Sequence, residues 1–258
     1  MQTLRNIFKR TLAALTLFTR LPLWRLCNIE AEHYKHVVPL WPLAGWLTGG
    51  IMSLAYFIGE SAGLPIGVCV AIALISRVLL TGALHEDGFA DFCDGFGGGS
   101  TRERTLERMK DSHIGTYGVL GLVLYFLLQW NVLASLMPAS PCSAMLFLVA
   151  DPVCKMISSF IIYFLPYARK ESEAKIQTVY SRSSIMEIVA SVLLGALPMA
   201  IFYDNAFWPS LAASAIAALC LFAYMRHRIQ GYTGDCCGAT FIITETIFYL
   251  TLSISHYA

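Results

Sequence analysis

The chain has 258 residues, of which 57% are hydrophobic and only 14% charged, with a formal net charge of +1. A soluble domain carries roughly 25% charged residues, so a water-soluble globule is excluded and most of the surface is expected to face lipid. The near-zero net charge excludes a broad basic face for nucleic acid, and with no long linker or low-complexity segment the chain reads as one domain over 1–258.

In chain order, the first apolar segment, Thr11–Trp24, is interrupted by Arg20 and Pro22 and is followed by no small-residue cleavage site. It reads as a short membrane-surface helix with Arg5, Lys9 and Arg10 on its flank. A spanning helix needs about 20 mostly apolar residues. Seven segments qualify: 37–59, 64–84, 113–138, 142–165, 185–203, 206–225 and 239–257. The first holds Pro39, Pro42, Gly45, Gly49 and Gly50, which predicts a kink or close packing against a neighbour. The expected fold is therefore all-α, a polytopic membrane helix bundle of about seven spans with an N-terminal interfacial helix.

The connecting segments are of two kinds. Those at 25–36, 85–112, 166–184 and 226–238 carry many Lys and Arg residues, whereas those at 60–63, 139–141 and 204–205 and the C-terminal tail carry none. Seven spans place the two kinds on opposite sides in strict alternation. The positive-inside rule then puts the charged segments in the cytoplasm and the C-terminus outside. Arg77 lies within a span and must face the bundle or pair with an acid. The eight cysteines show no disulfide or zinc spacing; most stand singly in apolar runs, and Cys236-Cys237 is a vicinal pair.

The chemistry concentrates in His85-Glu86-Asp87-Gly88-Phe89-Ala90-Asp91-Phe92-Cys93-Asp94-Gly95. On a helix, Asp87, Asp91 and Asp94 fall within about 60° of one another. No Lys or Arg occurs between His85 and Ser100 to offset them. Carboxylates on one face repel, and a divalent cation such as Mg²⁺ relieves that repulsion through hard oxygen ligands. The alternative is a solvated acidic face. Gly95–Gly99 follows, a turn that offers backbone N–H groups to phosphate or simply ends the helix. The next stretch, Arg102–Gly115, reads as an amphipathic helix with interleaved charge that breaks at Ser112–Gly115. Its Asp111 sits at the mouth of the next span, within expected reach of the first acids, and Arg104, Arg108, Lys110 and His113 are candidate phosphate holders. His85 reads as a metal ligand, an acid/base or a cap of the acidic helix.

Late in the chain, Gly231-Tyr232-Thr233-Gly234-Asp235 forms a tight turn entering the last span. Asp235 reads either as a metal or substrate ligand or as the helix N-cap. Glu245 lies deep in that span, a functional candidate by default, with pairing to Arg77 as the structural alternative.

These motifs together resemble the cobalamin synthase family, also called adenosylcobinamide-GDP ribazoletransferase. The matches run through the chain: Phe18-Thr19-Arg20-Leu21-Pro22, Pro42-Leu43-Ala44-Gly45, the His85–Gly95 string, Met109–Gly118, Tyr167-Ala168-Arg169 and Gly231–Asp235 with Gly238-Ala239. The chain departs from the family pattern at His113, where arginine is usual, at Lys155, where Ser-Arg is usual near Cys154, and at Glu171-Ser172.

The resemblance implies transfer of the cobinamide-phosphate part of adenosylcobinamide-GDP to α-ribazole or its 5′-phosphate, with release of GMP and a requirement for Mg²⁺. It implies Glu86, Asp87, Asp91, Asp94 and Asp111 as metal ligands, with Asp91, Asp94 and His85 in catalytic roles. Arg104, Arg108, Lys110, His113, Lys155, Arg169, Thr233 and Asp235 become substrate-binding candidates. It also implies a bacterial inner membrane, a site open to the cytoplasm, and a homo-oligomer or other corrinoid-pathway enzymes as partners. Two other readings compete: a CDP-alcohol-type phosphotransferase, whose Asp-Gly-x-x-Ala-Arg string is missing here, and a cation transporter. A transporter places its acids near mid-bilayer on broken helices, whereas these acids concentrate in one charged segment.

Overall fold

The structure is a computed structural model that describes residues 2–139, 143–169, 180–181 and 183–257. Lys170, Glu171, Ser172, Lys175, Arg182 and Cys142 lie outside the described residues. Helices follow one another along the chain: α1 (Gln2–Phe18), α2 (Ala31–Tyr34), α3 (Trp41–Ser61), α4 (Ile66–Thr81), α5 (Leu84–Gly98), α6 (Arg102–Arg108), α7 (Thr116–Ala139), α8 (Leu146–Ser159), α9 (Ile161–Phe164), α10 (Ile185–Ile201), α11 (Phe207–Ile229) and α12 (Gly234–Tyr257). The all-α, multi-pass membrane architecture expected from composition is present.

Two of the seven expected spans are shorter than a full bilayer-crossing helix. Among the described residues, five helical stretches are long and apolar enough to cross a bilayer: Val38–Ser61, Thr116–Pro138, Ser143–Phe164, Phe207–Ile229 and Gly234–Tyr257. The expected span 64–84 is the 16-residue α4, which passes that test only together with α5, at a bend of 89°. The expected span 185–203 is the 17-residue α10. Hydropathy alone does not register where a helix breaks. The break lies at Gly82 and Ala83, with φ of 66° and 60°. Two consecutive left-handed residues end an α-helix, and Ala83 adopts this conformation against its steric preference.

Burial sorts the helices into a centre and a shell. The most apolar windows of α8 and α12 are 78% and 61% buried, against 22% for α7 and 28% for α11. The shell exposes Leu79, Leu124, Leu193 and Ile216, as a lipid-facing surface would. The close packing expected of the first span occurs where α3 crosses α8. A Cβ added to Gly45 would lie 2.5 Å from Pro152 Cα, and one added to Gly49 would lie 2.5 Å from the Phe147 carbonyl oxygen. Backbones approach this closely only where side chains are absent.

The N-terminal helix is longer than expected and begins earlier, so Arg5, Lys9 and Arg10 lie within α1. It buries Leu12, Ala13, Ala14 and Phe18 and exposes Ile7 and Phe8. Lys9 pairs with Glu30 at 2.6 Å and Arg10 with Glu187 at 2.8 Å. Glu187 also closes a capping box with Ser184 at the start of α10, so one carboxylate fixes both the helix terminus and α1.

Candidate active site

The acidic helix α5 contains Gly88, Gly95, Gly97 and Gly98, each a cost to intrinsic helix formation. Packing supplies what propensity does not. A Cβ on Gly88 would lie 3.1 Å from Asp235 Cα, and one on Gly238 would lie 3.1 Å from the His85 carbonyl oxygen. The two glycines let α5 and α12 cross with backbones nearly touching. That crossing sets the Asp87 region beside Asp235.

The carboxylates of α5 divide among three surroundings. Asp87 is exposed and lines a cavity, and Asp91, one turn on, is partly buried. Glu86 turns inward; its carboxylate is buried 3.7 Å from Arg77 Nη2. Asp94 turns toward α7. Its Oδ2 accepts from Gly115 N–H at 2.7 Å and its Oδ1 from Gly118 N–H at 2.9 Å. These are orphan donors at the start of a helix, so Asp94 caps α7 from a distance. The single stripe expected of Asp87, Asp91 and Asp94 is thus not shared by all three. Among the described residues, no group of three or more His, Cys, Asp or Glu side chains is gathered closely enough to hold one metal ion.

Two motif segments far apart in sequence join at one edge of the site. Tyr167 and Tyr232 form a parallel bridge. Tyr232 N–H donates to Pro166 O at 2.9 Å, and Ala168 N–H donates to Tyr232 O at 2.8 Å. Arg102 secures the bridge to α6 by donating to Ile229 O at 3.0 Å and Ala168 O at 2.8 Å. Arg169 donates to Leu106 O at 3.2 Å and stands 3.9 Å from the Asp235 carboxylate. Thr233 is buried and accepts from Cys236 N–H at 3.4 Å, so Thr233 caps α12. Asp235 is therefore in the first turn and is not the N-cap.

A cavity of about 240 Å³ lies where these elements meet α1, α3 and α8. Asp87, Asp235 and Arg169 line it, as do the buried His85 and Lys155. Burial pushes the phenols of Tyr167, Tyr180 and Tyr232 up from their ordinary pKa, so these cavity walls carry hydroxyls and not phenolates.

Beneath the cavity lies a buried ionic centre. Arg77 donates to Glu245 at 2.6 Å and to the Tyr125 hydroxyl at 2.7 Å. Gln129 donates to the other Glu245 oxygen at 3.4 Å. Lys155 pairs with Asp151, donates to Thr48 at 3.1 Å and sits 4.0 Å from the centre of the Phe241 ring. Asp151 is also 3.9 Å from Arg77. The pairing of Arg77 with Glu245 read from the sequence is present. Asp151 escaped notice, although an acid four residues before a lysine inside an apolar run is a signal.

The remaining basic candidates lie on the surface. Arg104, Arg108 and Lys110 are exposed. Asp111 accepts from His113 N–H at 3.0 Å and contacts its ring nitrogen at 2.8 Å. These contacts from His113 hold the Asp111 carboxyl below its usual range. Neither residue lines the cavity. Helix α6 ends at Arg108, ahead of the break expected at Ser112–Gly115. Sequence reading also missed Trp41 and Tyr180, whose rings lie 5.8 Å apart in the cavity wall; isolated aromatics in an apolar chain carry no distinguishing signal.

Comparison with known proteins agrees with these motifs. The family described as Cobalamin-5-phosphate synthase matches residues 10–253. A protein of Shewanella baltica (strain OS185) named adenosylcobinamide-GDP ribazoletransferase is 33% identical over 244 residues, covering 94% of this chain and 93% of the relative. The protein of that name from Shewanella putrefaciens (strain CN-32 / ATCC BAA-453) is 34% identical with the same coverage. One from Shewanella sp. (strain ANA-3) is 32% identical over 246 residues, again covering 94% and 93%. No solved structure is detectably similar to the chain.

Proposed function

The chain belongs to the Cobalamin-5-phosphate synthase family, and from that premise we infer that it is an adenosylcobinamide-GDP ribazoletransferase acting late in cobalamin biosynthesis. The reaction joins adenosylcobinamide-GDP to α-ribazole or α-ribazole 5′-phosphate and releases GMP. Because one acceptor form carries and keeps a 5′-phosphate, the attacking group in both is another ribose hydroxyl. Its oxygen bonds to the phosphorus on the cobinamide side of the diphosphate, and the bond from that phosphorus to GMP breaks. Such a transfer depends on positioning, charge neutralisation and removal of the hydroxyl proton.

The observation that carries this reading is the convergence at one cavity of Asp87 from the acidic string, Arg169 from Tyr167-Ala168-Arg169 and Asp235 from the late motif. In this reading Asp235, which lines the cavity, takes the hydroxyl proton. Arg169, 3.9 Å from it, holds its orientation and offers positive charge to phosphate. Asp94, occupied at the start of α7, is less suited to be the base. Lys155 adds a cation at the floor.

The donor set fits Mg²⁺. This ion keeps several waters and takes one or two carboxylates together with substrate phosphate oxygens. Asp87 and Asp91, one turn apart on α5, would hold it, and no third carboxylate from Glu86, Asp94 or Asp111 is needed. When bound, it would neutralise charge on the diphosphate. The charged segments that carry these residues face the cytoplasm of a bacterial inner membrane in this reading, with the C-terminus outside.

The test is turnover by the full chain in lipid nanodiscs. Adenosylcobinamide-GDP and each form of α-ribazole are supplied with and without Mg²⁺, and GMP and the corrinoid product are measured. Mg²⁺-dependent formation of both is the expected result. A well-folded sample that releases no GMP with either acceptor would overturn the assignment.

A further inference from the structure

The floor of the cavity contains an unanswered polar group. His85 is 3% exposed, and neither of its ring nitrogens has a hydrogen-bond partner among the described residues. Its imidazole is stacked on Phe18 at 5.7 Å and 21°, and the Phe241 ring lies 4.5 Å away at 47°. These two aromatic neighbours restrict the ring and offer its nitrogens no conventional hydrogen-bond partner. A buried nitrogen without a partner costs about 1–3 kcal/mol, so such groups are normally satisfied by a ligand or water. His85 lines the cavity, and the partner must enter through it.

The surrounding walls specify the kind of partner. Phe18, Trp41, Tyr180 and Phe241 line the same space, and flat aromatic rings stack well on such walls. The cavity's about 240 Å³ suits a bicyclic base and excludes a corrin macrocycle. Guanine would need several donors and acceptors along its edges. Here the fully buried Lys155 is already committed to Asp151 and Thr48, and Ser158 to the Lys155 carbonyl, which leaves His85 as a buried polar contact still without a partner among the described residues. The base of α-ribazole, 5,6-dimethylbenzimidazole, has one ring nitrogen free after glycosylation and is otherwise apolar.

We propose that this aromatic floor is the binding site for the azole base of the acceptor nucleoside, and that His85 donates a hydrogen bond to the free ring nitrogen of that base. The proposal rests on the transfer reaction inferred above and names where one of its substrates sits. His85 is thus a recognition residue and not a metal ligand or proton carrier. The ribose would extend from the floor toward Asp87 and Asp235, whose carboxylates would meet its hydroxyls. An uncharged imidazole can serve this role through either nitrogen.

The experiment compares α-ribazole with an isosteric nucleoside whose base is 5,6-dimethylindole, in which a C–H replaces the free ring nitrogen. The full chain in nanodiscs should show a KM about tenfold or more higher for the indole nucleoside, the factor expected of one lost buried hydrogen bond. His85→Phe keeps a flat ring between Phe18 and Phe241 and should erase that preference, with KM for α-ribazole raised more than kcat is lowered. A preference that survives in His85→Phe would overturn the proposal. So would an equal loss of kcat with both acceptors at unchanged KM, which marks a chemical role. If His85→Phe does not insert, competition in the wild-type protein decides. Free 5,6-dimethylbenzimidazole should inhibit about tenfold more strongly than 5,6-dimethylindole, and equal inhibition would overturn the assignment. Absence of turnover by the wild-type protein with both α-ribazole and its 5′-phosphate would instead remove the transferase reading itself.

Discussion

Arg77 Nη1 lies 2.6 Å from Glu245 Oε1, and both side chains are sealed from the surface of the bundle. The pair fastens α4 to α12, and its surroundings are unbalanced. Arg77 also faces Glu86 at 3.7 Å and Asp151 at 3.9 Å. Removing the cation leaves three acids without their shared partner, whereas removing Glu245 leaves Arg77 two others. Arg77→Met should therefore lower stability more than Glu245→Gln. Loss of one member of a buried pair costs about 3–5 kcal/mol, and Arg77→Met should lie at the upper end. Thermal unfolding in detergent checks the order; a larger loss for Glu245→Gln would contradict it.

Asp87→Asn and Asp91→Asn should each abolish Mg²⁺-dependent GMP release, by 100-fold or more on the order of one lost transition-state interaction, while the protein still inserts and elutes as the wild type. Titration of Mg²⁺ gives the sharper reading. Partial rescue at high Mg²⁺ is expected if these carboxylates hold the ion, and near-normal turnover in folded Asp91→Asn would remove it from the metal set.

Asp94 should behave differently from its neighbours on α5. Asp94→Ala leaves the N–H groups of Gly115 and Gly118 without their acceptor and should cost about 1–3 kcal/mol of stability. Asp94→Asn retains one acceptor and should cost less. The apparent Mg²⁺ affinity of both variants should stay within about twofold of wild type, a ratio far below the ~1.4 kcal/mol that a tenfold change represents. A Mg²⁺ affinity lost with stability intact would make Asp94 a ligand.

Gly49 and Gly50 offer an internal control in one helix. A methyl at Gly49 would lie 2.5 Å from the Phe147 carbonyl oxygen, and one at Gly50 would lie 3.7 Å from the Leu148 side chain. Gly49→Ala should destabilise by about 1–3 kcal/mol through overpacking. Gly50→Ala should be neutral or gain up to about 1 kcal/mol, because alanine forms helix more readily. Melting curves of the two variants side by side test the pair.

The legible parts of this protein were those governed by local pattern. Apolar length marked the long spans, and the glycines of 41–61 foretold the α3–α8 approach. The acidic string announced chemistry because its charges are unbalanced in sequence itself. What stayed hidden depended on direction. Helical spacing placed Asp87, Asp91 and Asp94 on a common stripe, yet Asp94 is drawn to the N-terminus of α7, a partner 21 residues away for Gly115. The pairing of Lys155 with Asp151, by contrast, is legible in their four-residue spacing inside an apolar run. The bend after α4 was missed because Gly82-Ala83 interrupts hydrophobicity no more than any other small pair, while its backbone reverses hand.

The short α4 has a consequence for the surrounding lipid. Its 16 residues rise only about 24 Å at 1.5 Å per residue, less than the ~30 Å hydrocarbon thickness of an average bilayer. The chain then turns sideways into the acidic helix, so extra length is not available to make up the difference. A bilayer meets such a mismatch by thinning locally, at a fraction of a kcal/mol per Å. Headgroups and water would dip toward α5 at that point. Polar reactants would thereby approach a helix rooted in the membrane without crossing a full leaflet. Short-chain lipids should accordingly support faster turnover than long-chain lipids of the same headgroup, because they supply that depression at no elastic cost.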